Sequence, residues 1–289
     1  MKNNRVGITL FLVPAVLLFL VVFGVSVVML FGSSFTDWAI GTQAHFIGFQ
    51  NYGKLFSDKA FMQALLNTFV WILLQSTVHV VIGVTVALIL ARRKFYWKFV
   101  RTVYMIPNII SSAALGMMFT ILLNPQFGAV NKIFQALGNP NFDQNWFMDK
   151  ATAFFAVTIT WLPYAATITI LVLAEIAAID TSIYEAARVD GASEMQVTFH
   201  IMLPLLRNII GTAAVLGGTS MLQKLDILMM TTNGGPGDTT LNLPLYIYQT
   251  ALTNNDFALA NTAGVYLIIL GFITVLIINK AFRMGKSDI

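Results

Sequence analysis

Ser182-Ile-Tyr-Glu-Ala-Ala-Arg-Val-Asp-Gly-Ala-Ser-Glu-Met-Gln-Val-Thr-Phe-His-Ile-Met-Leu-Pro204 is a polar, mixed-charge stretch set between two apolar runs of a very apolar chain. A connection between two membrane spans needs only a few turn residues. A capped, helix-forming insert therefore has some other reason to exist. Ser182-x-x-Glu185 and Ser193-x-x-Gln196 both have capping-box form, in which a hydroxyl and a carboxylate or amide satisfy each other's free amides. Asp190-Gly191 lies between them, and glycine alone takes the left-handed conformation cheaply. The stretch thus predicts two short helices joined at a glycine elbow.

The surroundings fix the class. Hydrophobic residues make up 57% of the 289 and charged residues 10%, with a mean hydropathy of +0.76. Soluble domains carry about 25% charged residues, which excludes an ordinary water-soluble globule. Charge-free runs long enough to cross a bilayer (roughly 20 residues) cover 6–36, 60–91, 102–131, 151–174 and 257–279; a sixth, 208–230, holds Lys224 and Asp226. Strands of a closed barrel would alternate apolar with polar residues, and these runs do not. The expectation is an all-α membrane protein with six transmembrane helices near 8–31, 68–91, 102–123, 152–174, 206–230 and 260–281.

Basic residues set the orientation. Lys2, Arg5, Arg92, Arg93, Lys94, Lys98, Arg101, Arg188, Arg207, Lys280, Arg283 and Lys286 fall on one side, and Lys54, Lys59, Lys132, Lys150 and Lys224 on the other. Twelve against five of the 17 basic residues predicts both termini, and the Glu185 loop, in the cytoplasm. The first apolar run exceeds the length of a signal-peptide core and ends in no small-residue cleavage site, so it reads as a retained span. Cysteine is absent, which excludes disulfides, thiol catalysis and thiolate metal sites. The basic excess follows from the loop asymmetry and points to no nucleic acid. His45, His79 and His200 are scattered, so no metal site or cofactor is expected and a membrane-embedded enzyme fares poorly.

The spacing Glu185-Ala186-Ala187, Gly191, Ile201-x-Leu203-Pro204 resembles the signature loop of ABC importer permeases, with every fixed position present. The resemblance implies the type I importer permease fold. It also implies a loop that docks on a separate ATPase subunit through Tyr184, Glu185, Ala186, Ala187, Asp190, Gly191, Ala192, Ile201, Leu203 and Pro204. From the residues alone, an interfacial amphipathic helix anchoring the span ends explains the same stretch. Phe35-Thr-Asp-Trp38, Trp161-Leu-Pro-Tyr164, Asn233-Gly-Gly-Pro236 and Leu245-Tyr-Ile-Tyr248 extend the likeness to sugar-importer permeases of the maltose and glycerol-phosphate type. The Gly-Gly-Pro segment resembles the first of their two unequal permeases. The partners so implied are a second, different permease, two ATPase subunits, an extracytoplasmic sugar-binding protein and a sugar, in a bacterial-type inner membrane. One departure is the short loop after the first span, where the maltose system carries a large external domain. No Gly-x4-Gly-Lys-[Ser/Thr] phosphate loop occurs, so nucleotide chemistry would come from a partner. The division expected is a first helix with its external loop (1–66), a five-helix core (67–283, coupling loop 182–204) and a tail (284–289).

A sugar needs hydrogen-bonding groups and an aromatic face in a preformed cavity. Candidates are Thr160, Trp161, Tyr164 and Thr167 in the fourth span, with Pro163 as a kink. In the fifth they are Gly217, Ser220, Met221, Gln223 and Lys224, of which Gly217, Met221 and Lys224 would share one helix face. Lys224 inside a span should face a cavity or a partner charge; snorkelling outward or pairing with Asp226 are the alternatives. Asn67, Gln75 and His79 read as interhelical hydrogen-bonding groups. An ion-gradient-driven secondary transporter would need charged relays within the spans; four of the six lack any Asp, Glu, Lys or Arg, and the sixth holds only Lys280 at its very end.

Overall fold

The computed structural model describes residues 5–92 and 97–284. Lys2, Arg93, Lys94, Lys286 and most of the 284–289 tail lie outside them. Helices make up the described fold, with a single isolated bridge between Thr36 and Phe46. Among the described residues four helices are long and apolar enough to cross a membrane: Gly7–Ser34, Lys59–Ala91, Ala153–Ala178 and Phe257–Phe282. Two bent pairs, Trp97–Asn108 with Ser112–Leu122 and Glu194–Leu205 with Arg207–Gln223, raise the candidate spans to six if each pair is one span.

The chain divides into two compact units. One comprises the described residues of Met1–Met62 with Tyr246–Ile269. Gly7–Ser34 turns apolar side chains outward, Phe11 being 85% exposed, the reverse of a water-soluble surface. Its C-terminal end is tied down: Asn261 Nδ2 donates to Ser33 Oγ at 2.7 Å and Thr262 Oγ1 to the Ser34 carbonyl at 3.1 Å. Phe35-Thr-Asp-Trp38 then starts a short loop. Asn51 Nδ2 donates to the carbonyls of Ser34 and Thr36, and Ala258 N–H to that of Trp38. Tyr52, Phe56, Phe61 and Tyr246 collect their rings around Tyr266 and one another, and the Tyr246 hydroxyl donates to Asp58 at 2.6 Å.

The other unit comprises Gln63–Leu245 and the described part of Leu270–Ile289. Its core joins Val80, Val84 and Ala87 to Ile168 and Val172, then to Leu206, Ala213, Ala214 and Ile278. Two expected spans are not single helices. The third bends by 101° between Asn108 and Ser112, where Ser111 takes an extended conformation and caps the next helix by accepting from the Ala114 amide. The fifth ends its α-helix at Ser220, tightens to a 3₁₀ turn over Met221–Gln223, and becomes extended at Lys224 before Asp226–Thr231. That break removes the helix face expected to join Gly217, Met221 and Lys224.

After it, the chain turns sharply at Asn233 (φ 49°) and Gly234 (φ 90°), as the Asn-Gly-Gly-Pro sequence predicts. Asn67 Nδ2 fastens this turn by donating to the carbonyls of Thr239 at 3.0 Å and Leu241 at 2.8 Å. Asn67 thus ties its helix to a loop and not, as expected, to another helix.

Candidate functional site

The Glu185 loop consists of the helix Thr181–Val189, an elbow, and a second helical segment, Glu194–Leu205. Asp180, and not Ser182, caps the first helix: its carboxylate accepts from the Ser182 amide at 2.9 Å, which holds it below the ordinary carboxylate range. Three potential caps in succession, Asp180, Thr181 and Ser182, make the start ambiguous in sequence, and the earliest one takes it. The Ser193–Gln196 capping box forms as expected.

Gly191 makes the elbow. Its φ is +85°, its N–H donates to the Arg188 carbonyl at 3.1 Å, and the Ala192 N–H reaches the Ala187 carbonyl at 2.9 Å. This pair of bonds is a Schellman cap with glycine at the left-handed position. An added Cβ would meet nothing within 4 Å. Within this chain the demand for glycine therefore comes from the backbone angle, not from lack of space.

Arg188 Nε donates to Glu194 Oε1 at 2.8 Å across the elbow, raising the guanidinium pKa and lowering that of the Glu194 carboxyl. Beneath the loop Tyr184 and Val197 are buried, and burial pushes the Tyr184 phenol up. Leu203 packs on the core, Ile201 is half-buried and Pro204 is exposed. Pro204 has no N–H to give the preceding turn, and the helix widens to π geometry over Val197–Met202 just before it. Glu185, Ala186, Asp190 and Gly191 are exposed, while Ala187 and Ala192 are half-buried. Around them stand apolar side chains that the sequence reading does not single out: Val189 is 87% exposed, Met195 70% and Phe199 57%. A cavity of about 480 Å³ opens behind the loop, lined by Leu90, Trp97, Leu173, Tyr184, Glu185 and Arg188 among others.

A second cavity, about 200 Å³, is enclosed by three helical stretches. Lys59–Ala91 contributes Gln75 and His79; Ala153–Ala178 contributes Trp161, Tyr164, Thr167, Ile168 and Leu171; the fifth-span segment contributes Leu216, Gly217, Ser220 and Lys224. Pro163 breaks the middle helix, as expected, into a 3₁₀ turn over Leu162–Tyr164. The Leu162 carbonyl, which also accepts from the Ala165 amide, takes His79 Nε2 at 3.2 Å, and His79 Nδ1 pairs with Gln75 one turn earlier. Gly217 allows close passage, since a Cβ there would stand 2.8 Å from the Gln75 carbonyl oxygen.

Lys224 reaches back over Tyr164, its Nζ 4.1 Å from the ring centroid. Such a cation–π contact offsets part of the cost of withdrawing an ammonium from water. Asp226 does not take the lysine; its carboxylate accepts from Ser112 Oγ. Trp161 is 1% exposed, stacks edge-on against Trp71 at 4.6 Å, and has no acceptor for its indole N–H.

Of the nine residues expected to line a substrate path, six come together here: Trp161, Tyr164, Thr167, Gly217, Ser220 and Lys224. Thr160 is fully buried and donates to the Val157 carbonyl, Met221 is fully buried, and Gln223 is exposed in the 3₁₀ turn outside the cavity. Sequence alone presents Gln75 and His79 only as interhelical ties; their i, i+4 spacing within the charge-free run 60–91 is the signal that they share a polar face.

The family model described as binding-protein-dependent transport system inner membrane component matches residues 79–283. The chain is 29% identical to "Probable ABC transporter permease protein YurN" of Bacillus subtilis, over 99% of each sequence. It is 30% identical to "Sulfoquinovosyl glycerol transport system permease protein SmoG" of Agrobacterium fabrum, over 97% of this chain and 92% of that one. In fold it resembles a chain of a bacterial ABC transporter involved in the import of the acidic polysaccharide alginate, with a TM-score of 0.84, 23% identity and 98% of each chain covered. The all-helical architecture, the signature loop and these matches agree: the chain belongs to the family of binding-protein-dependent transport system inner membrane components.

Proposed function

We propose that the chain is a permease subunit of an ATP-driven carbohydrate importer, forming half of the translocation path beside a second, different permease. Two ATPase subunits and an extracytoplasmic sugar-binding protein complete the assembly, and both termini lie in the cytoplasm. The loop Glu185–Pro204 is the coupling element that carries ATPase closure into the membrane helices.

The observation that carries this reading is the loop itself. Its inner residues, Tyr184, Val197 and Leu203, are rooted in the core, and its outer face presents Val189, Met195 and Phe199 around a glycine elbow. A helix that merely anchored span ends would not need a rigid cap, an ion-pair brace and an outward apolar face together. The relative named for sulfoquinovosyl glycerol transport supports a carbohydrate as the cargo. Substrate contact is assigned to the six cavity residues, with Gln75 and His79 added.

The test is uptake of labelled sugar by proteoliposomes holding the complete complex. Uptake should require ATP inside, where the ATPases face, and the binding protein outside. Uptake by this permease pair without ATPase subunits, driven by an ion gradient, would contradict the proposal.

A further inference from the structure

We propose that the 480 Å³ cavity behind the Glu185 loop holds the headgroup of a membrane phospholipid, its phosphate taken by Arg92 and Arg101. The proposal rests on the chain being a membrane permease and is independent of its cargo.

The cavity lies where three helix ends meet the loop. Leu88 and Leu90 come from the last turns of Lys59–Ala91, and Leu173 and Ile176 from those of Ala153–Ala178; together they make an apolar wall. Trp97 and Arg101, one turn apart, come from the start of Trp97–Asn108. Arg92 and Arg101 stand on the side that the basic residues assign to the cytoplasm. A basic pocket between span ends on that side is the form that receives lipid headgroups.

The rim carries three arginines and two glutamates, one positive charge in excess. Arg188 is paired with Glu194 at 2.8 Å, and Glu185 acts on it as well. Arg92 feels Glu194 only through space, and Arg101 lies over the Trp97 ring, 5.9 Å from its centroid. Among the described residues neither forms an ion pair. A guanidinium offers N–H donors in a fixed fork, accepts nothing, and fits a phosphate in geometry as well as charge. Tyr184, 9% exposed, lines the same cavity, and its hydroxyl has no hydrogen-bond partner within the chain. Buried hydroxyls are normally paired, so the pocket is one polar neighbour short.

Two observations select a lipid over a soluble anion or an acidic segment of the ATPase. A free anion makes no use of the wall of Leu88, Leu173 and Ile176, and an extended peptide would bury unpaired amides and carbonyls against it. The first methylenes of an acyl chain bury there favourably. The second observation is the helix that carries Arg101. Phe99 and Val103, two residues to either side and so on the opposite face, are 73% and 47% exposed. In a membrane protein that face meets lipid, and a single helix separates the cavity from the bilayer.

The test uses the complete permease–ATPase complex in detergent, titrated with phosphatidylglycerol and read by native mass spectrometry, which counts retained lipids. Arg92→Gln combined with Arg101→Gln should retain one phospholipid fewer, its affinity lowered about ten-fold or more. The corresponding pair of lysine substitutions should keep it. Diacylglycerol, which lacks the phosphate, should not be retained at this site, and excess inorganic phosphate should not displace the lipid. A photoreactive phosphatidylglycerol should label residues within 88–92 or 173–184. Full retention by the glutamine pair, or equal retention of diacylglycerol, would overturn the proposal. Displacement by inorganic phosphate would make this a soluble-anion site, and labelling that appears only after the ATPases are removed would give the cavity to the ATPase; either result also overturns it. Should the glutamine pair not assemble, the wild-type comparison of phosphatidylglycerol with diacylglycerol decides, together with the labelled residues. Failure here leaves the importer reading untouched.

Discussion

Arg188 and Glu194 clasp across the Gly191 elbow, Nε to Oε1 at 2.8 Å, joining the two arms of the loop. The pair is exposed and its value lies in geometry, since such bridges stabilise little by themselves. Hydrogen bonding to Arg188 lowers the Glu194 pKa, so the clasp is present above the ordinary carboxylate range and is lost as pH falls through the lowered folded value. Spin labels on cysteines placed at Ser182 and Thr198, in a chain that has no other cysteine, should show one fixed separation from about pH 8 to about pH 5. The separation should broaden only below about pH 4. Broadening already at about pH 6 would remove the clasp from the account.

Gly191 is asked for by its φ of +85°, with free space where a side chain would point. Gly191→Asn, a residue that tolerates the left-handed region, should keep transport within a few-fold. Gly191→Asp should insert and fold equally well yet lose at least ten-fold in transport, because a charge is pressed into the ATPase contact. Equal transport by the two variants would place the elbow outside that contact.

Asn67 Nδ2 holds the turn after Asn233 by reaching the carbonyls of Thr239 and Leu241 from a buried position. Asn67→Ala strands both oxygens, at a cost of about 1–3 kcal/mol. A lowered melting temperature of the purified complex, with sugar affinity unchanged, is the expected result. Unchanged melting would show that water replaces the amide.

The twelve-to-five division of basic residues predicts which side each loop faces. A reporter fused after Lys286 should read as cytoplasmic and one inserted near Asn139 as external. A cytoplasmic reading at Asn139 would overturn the six-span arrangement.

Much of this fold is written locally. The apolar runs mark the long helices, and Asp190-Gly191 and Ser193-x-x-Gln196 announce the elbow and the second cap, because capping depends on neighbours only. The breaks in the third and fifth spans are not written that way. The run from Thr102 to Leu122 is charge-free, and although Pro107-Asn108 and Ser111 offer a break and a cap, the 101° size of the bend goes with Ser112 being received by Asp226 of a distant segment. Lys224 shows the same limit. A helical wheel sets it on one face with Met221, yet the 3₁₀ turn at Met221–Gln223 buries the methionine and swings the lysine onto Tyr164. Exposure of Val189, Met195 and Phe199 is equally invisible in sequence, since apolar residues on a short amphipathic helix ordinarily face inward.

The central claim is that this loop docks on an ATPase, and Val189 offers the most direct test. It is 87% exposed one residue before the Asp190-Gly191 elbow, in a chain with no cysteine. In the assembled complex Val189→Cys, paired with cysteines introduced along the ATPase surface cleft, should yield a single cross-linked permease–ATPase product under mild oxidation, and the thiol should be shielded from water-soluble maleimides. A thiol at this position that reacts with maleimide as fast in the assembled, transport-active complex as in the permease alone, and cross-links to no ATPase position, would contradict the account.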